Sequence, residues 1–184
     1  MMRRMRRLAW LLSASLAVAC AQDPAPAPTP PAGAYEGGSR AGAIDRTSLE
    51  EEVTDAGILN QVLDEAGFAG GTFRRWSLTH AAGIRQVEVR ALRFSSAQGA
   101  ATYLGWVSEH PEDLVGGGTA ATVSDRVVLS HEPGGCCPGK DTSLVVAAWT
   151  DGDVVWMVRL GGPEADAAAA HEVADAIEGG TDGA

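Results

Sequence analysis

The chain has 184 residues, with 14 basic and 24 acidic side chains and a net charge of −10. Four of the arginines, Arg3, Arg4, Arg6 and Arg7, lie at the very start where there is no acid, so the remainder is more acidic still. That charge argues against nucleic acid and anionic lipid surfaces as partners of the folded part, and the length allows one domain of ordinary size.

The opening residues fall into three parts: the basic cluster, an apolar run from Leu8 to Ala19 broken only by Ser13 and Ser15, and Cys20. The run is too short to span a bilayer, which takes roughly 20 residues, but suits the core of a signal peptide, so residues 1 to 19 read as a cleaved leader. Its end, Leu16-Ala17-Val18-Ala19-Cys20, resembles the bacterial lipobox, with Ala17 where Leu is commonest. The resemblance implies that Cys20 is diacylated and becomes the first mature residue, holding the protein to the outer face of the cytoplasmic membrane through an N-terminal lipid. The alternative is an ordinary cut after Ala17-Val18-Ala19, leaving Cys20 as a free thiol. Either way the chain is exported. Thirteen arginines against one lysine, Lys140, and a single asparagine, Asn60, point to a high-GC, actinobacterial genome.

Residues 20 to 43 read as a linker rich in Pro, Ala and Gly, extended where Pro and Ala alternate. A single α+β domain is expected over residues 44 to 180, followed by a tail at 181–184. The capping pattern Ser48-Leu49-Glu50-Glu51 opens one helix running to Ala66, with Gly57 a potential kink and Gly67 its end. Thr72–His80 and Ile84–Phe94 form a hairpin around Ala81-Ala82-Gly83. The apolar phase of the second strand slips between Val87/Val89/Ala91 and Leu92/Phe94, as a bulge would cause. Ser95-Ser96-Ala97-Gln98 starts a second helix that exits at Pro111. A strand near Arg126–His131 follows. Ser143–Thr150 and Val154–Leu160 then form the strongest hairpin signal, joined by Asp151-Gly152. A last helix, introduced by Pro163, carries Ala165, Ala169, Val173 and Ile177 inward and closes at Gly179-Gly180. The order αββαβββα predicts a mainly antiparallel five-stranded sheet with packed helices.

Three stretches carry a family resemblance: Val87–Phe94 followed by Ser95-Ser96-Ala97 and an Ala-rich helix, the hairpin Ala147–Trp156, and the closing helix. With the lipobox and linker, they resemble the small α+β domains of actinobacterial envelope lipoproteins and the extracellular sensor regions of some mycobacterial Ser/Thr kinases, including PsbP-like members. The resemblance implies a non-enzymatic binding or interaction module, with an envelope protein or small ligand as its partner. It transfers no functional residue.

Several patterns approximate known chemistry. Gly134–Lys140 satisfies the spacing of a phosphate-binding loop, but Asp141 replaces the magnesium-binding hydroxyl and a strand follows instead of a helix. His171-Glu172-Val173-Ala174-Asp175 is spaced like a zinc-binding helix but lacks a third ligand nearby, and a solvated helix face is the alternative. Cys136 and Cys137 allow three readings: a vicinal disulfide, free or intermolecular thiols, or a soft-metal site completed by His131. The last would make the protein redox- or metal-responsive. Trp76, Trp106, Trp149 and Trp156 suit either a ligand groove or the core. No catalytic constellation is recognisable, and no cofactor is expected.

Overall fold

The computed structural model describes residues 39–77, 83–131 and 143–181. The leader, Cys20, the linker up to residue 38, the turn at Ala81-Ala82, and the loop containing Cys136 and Cys137 lie outside the described residues.

Among the described residues, seven strands form one fully antiparallel sheet, two more than expected. In chain order they are β1 (Ser39–Ile44), β2 (Phe68–Ser77), β3 (Gln86–Phe94), β4 (Thr119–Val123), β5 (Arg126–His131), β6 (Ser143–Asp151) and β7 (Val154–Gly162). The spatial order is β1-β2-β3-β7-β6-β5-β4, so the sheet joins two meanders along the central pair β3 and β7. The two additional strands are its edges. β1 takes up the last residues assigned to the linker, and β4 is a short, wholly exposed run of Thr, Ala and Val. Neither has the apolar alternation of a half-buried strand, which is why periodicity misses them. β4 turns into β5 through Ser124 and Asp125, both at positive φ, a hairpin turn made without the customary glycine.

The expected first helix is two: α1 (Arg46–Glu50) and α2 (Ala56–Ala66). The side chain of Asp45, rather than Ser48, caps α1 by accepting from the Ser48 amide at 2.9 Å, and Asp55 caps α2 by accepting from the Ile58 amide at 3.0 Å. The chain therefore breaks at residues 51–55, upstream of Gly57, and α2 ends on left-handed Gly67 (φ 69°) as expected. α3 (Ala97–Glu109) starts on Ser96, whose Oγ accepts from the Gly99 amide at 3.1 Å. α3 ends at Glu109 and is capped by His110, so its exit is marked, as expected, by Pro111. That proline is the first residue of a short α4 (Pro111–Val115), where its missing N–H costs nothing. α5 (Ala167–Thr181) closes the chain.

Helices cover both faces of the sheet. One core packs α2, α3 and α4 against Leu92, Phe94, Leu129, Val146, Val155 and Met157, and the other packs α5 against Val87, Val89, Ala147, Trp156, Val158 and Leu160. On the first face Phe68, Phe94, Tyr103, Trp106 and His110 follow one another ring to ring, with centroids 5.0–5.7 Å apart. Helices α2 and α3 meet at Gly99, where a Cβ would lie 2.0 Å from the Ala66 carbonyl oxygen, so only glycine fits. The phase slip in β3 is thereby explained. Its two apolar phases face two different cores, while the bulge sits on the partner strand β2, between Phe68 and Gly70.

Candidate functional site

A strand covered on both faces has no solvent side on which to place charge, yet β3 reads Val87-Glu88-Val89-Arg90. Glu88 is 1% and Arg90 4% exposed. Buried charges persist only when paired, and these are. The Arg90 guanidinium donates from Nε to Glu88 Oε1 at 2.6 Å and grips Glu52 with Nη1 and Nη2 at 2.7 and 2.6 Å. Glu88 also pairs with Arg75, directly opposite on β2, and faces Arg159 across the β3–β7 ladder at 3.6 Å. Arg159 donates to Glu52 at 3.0 Å and reaches the Leu114 carbonyl at 3.4 Å. Glu52 comes from the break between α1 and α2.

Burial opposes ionisation of Glu52, but the hydrogen bonds and charges of Arg90 and Arg159 outweigh it and hold its carboxyl below the usual range. Burial likewise works against the Arg90 cation and loses to Glu52 and Glu88, so its proton is held more tightly than usual. For Arg159, burial and the neighbouring Arg90 charge prevail over the two carboxylates, and its proton is held less tightly. The adjoining core is dry enough for burial to push the Tyr103 phenol up to about 12.

The lowered carboxyl of Glu52 fixes the sign of a pH effect. Its stabilisation is complete above the unfolded value of about 4.5 and is lost as pH falls through the lower folded value. Glu52→Gln should therefore depress the Tm at pH 7, with the difference from the parent narrowing below about pH 4.5. Parallel thermal melts from pH 7 to 3 measure this, and a difference that stays constant across the range would contradict it.

Beside this network, β1, β2, β3 and α1 line a half-open cavity of about 360 Å³. Ile44 and Phe73 supply apolar lining, Arg75, Glu88 and Arg90 polar lining, and Arg40, Ser48, Glu51 and Glu52 complete it. Its size suits a small molecule, and it combines an apolar surface with a few fixed polar groups.

The residues singled out in the sequence lie elsewhere. His131 ends β5 with its Nδ1 3.6 Å from where a Cβ would stand on Gly117, and it borders a second cavity of about 480 Å³ beside the start of α5. That cavity is lined by Ser130, Ser143, Glu164 and Asp166 and contains no buried charge. His171 and Asp175 do share one helical face, but an arginine occupies the place of a metal. Arg126 Nη1 donates to Asp175 at 2.7 Å and lies 3.1 Å from His171 Nδ1, while Nη2 donates to Glu178 at 2.6 Å. Its guanidinium stacks over Trp149 at 5.1 Å. All four domain tryptophans are buried, at 3–6% exposure, which assigns them to the cores.

No protein-family model matches the chain, and no curated sequence does. Among solved structures, the extracellular domain of PknH from Mycobacterium tuberculosis is similar, with a TM-score of 0.52 and 11% identity over 80% of this chain and 81% of that one. The two share a fold. The α+β architecture expected from the sequence is thus present, with an antiparallel sheet and packed helices, although the sheet has seven strands and the helix order differs.

Proposed function

We propose that this protein is an exported, lipid-anchored and non-enzymatic binding module of the cell envelope, tethered through Cys20, with its ligand in the cavity between β1–β3 and α1. The observation that carries the reading is the buried Glu52–Arg90–Glu88 network flooring that cavity. Each of its carboxylates pairs with two or more arginines, which stay protonated at any physiological pH. Glu52, held below the usual carboxylate range by Arg90 and Arg159, presents fixed charge and has no proton to exchange at neutral pH, which suits recognition rather than acid–base catalysis. The likeness to the extracellular domain of PknH supports the same class of role, and the lipobox-like Leu16–Cys20 supports the anchor.

The anchor has a direct test. In the native host, Cys20→Ala should move the protein from the membrane fraction to the soluble exported fraction, and intact-mass analysis of the parent should show cleavage before Cys20 plus the added acyl mass. Two or more chains at about 0.8 kcal/mol per buried methylene hold a protein stably, whereas one does not. An unmodified mature mass would refute the anchor. For the binding role, occupancy of the cavity by a small molecule is the deciding measurement.

A further inference from the structure

We infer that the cavity takes a small organic monoanion, a carboxylate seated between Arg40 and Arg75 with an apolar group lying on Ile44 and Phe73. This inference rests on the cavity's being a ligand site. Its basis is a cross-strand pair that the fold by itself does not explain. In the β1–β2 register Arg40 stands directly opposite Arg75, so both guanidiniums lie on the same sheet face and line the same cavity. Like charges placed directly opposite repel and destabilise a sheet. Arg75 is relieved by Glu88, but Arg40 has no ion pair among the described residues.

The charge balance gives the ligand's valence. In the lining Arg40, Arg75 and Arg90 balance Glu51, Glu52 and Glu88. Arg159, which pairs with Glu52 and Glu88 from outside the lining, leaves the cluster one positive charge in excess on a chain that is otherwise strongly acidic. A monoanion neutralises that excess, while a phosphate dianion would overshoot it beside the buried Glu88 and the half-buried Glu52. Two adjacent guanidiniums match a carboxylate's planar pair of oxygens through charge-assisted hydrogen bonds. Phe73, which lies against Arg75 with the guanidinium carbon 6.0 Å from the ring centroid, and Ile44 give an apolar tail somewhere to pack.

The test uses the full chain, with benzoate as probe and phenyl phosphate, benzamide and benzylammonium as isosteres of different charge. Binding is read from NMR shifts of the arginine Nε–H groups and of the Phe73 ring. Benzoate should shift Arg40, Arg75 and Phe73 saturably, and Arg40→Gln should weaken it roughly tenfold or more, as loss of a hydrogen bond to a charged group does. Unchanged benzoate affinity in Arg40→Gln, at unchanged Tm, overturns the inference. So does tighter binding of phenyl phosphate than of benzoate. If benzamide or benzylammonium moves the cavity resonances and benzoate does not, the cavity remains a ligand site and only the anion assignment falls. If no probe moves them, both fall.

Discussion

Replacing Glu88 by alanine should lower the unfolding free energy by about 3–5 kcal/mol, the cost of breaking a buried ion pair from one side. Glu88 is 1% exposed and is the point at which Arg75, Arg90 and Arg159 converge. Its removal leaves Arg90, itself 4% exposed, with Glu52 alone for counter-charge, and leaves Arg159 sharing that same carboxylate. The cost thus comes from stranded cations in a dry setting more than from the bonds lost. That mechanism makes a second, opposite prediction. The double variant Glu88→Ala with Arg90→Met removes the stranded cation along with its partner, leaves Glu52 to Arg159, and should recover most of the loss. Urea unfolding of both variants measures this. A single-variant loss under about 1 kcal/mol, or a double variant worse than the single, would mean that water reaches the network.

The aromatic ladder on the same face carries the other large effect. Phe94 is fully buried, with Phe68 edge-on at 5.7 Å and Tyr103 tilted at 5.2 Å. Phe94→Ala removes a ring's worth of apolar burial, opens a cavity between the sheet and α3, and unseats both neighbours, so a loss of about 3–5 kcal/mol is expected. Phe94→Leu fills much of the space and should cost distinctly less. The disturbance should travel along the ladder to Trp106, which stacks on His110 with centroids 5.0 Å apart, and be visible as a change in near-ultraviolet circular dichroism. Equal losses in the two variants, or an alanine variant as stable as the parent, would show that the sheet collapses onto the gap.

The two faces of β3 explain why the fold was legible and the site was not. Its apolar residues occur in both phases, Val87, Val89 and Ala91 in one and Leu92 and Phe94 in the other. This pattern signals a strand covered on both sides, so Glu88 and Arg90 had to be buried, and the signal for the charge network was present in the sequence. A bulge on β3 accounts for the same pattern locally, and the structure places the bulge on β2 instead. The His171–Asp175 spacing likewise puts two groups on one helical face. Its occupant, Arg126, lies 45 residues away from His171 on β5, and no local spacing reports that.

The sequence by itself determined what rests on short-range chemistry. The Asp-Gly hairpin of β6 and β7, the Ser96 cap of α3, the glycine stop of α2 and the α+β class all follow from turn geometry, capping and periodicity. Only the tertiary structure decided the rest. It broke the first helix at residues 51–55, brought Glu52 from that break to Arg90 and Arg159, and recruited β1 and β4 as edges although neither has a buried face of its own to encode. It also set the register that places Arg40 against Arg75 and Glu88 between Arg75 and Arg159. Pairing across strands depends on which strands become neighbours, and that choice is made by burying two cores at once. A charge network assembled from four separate stretches of chain exists only after that choice is made.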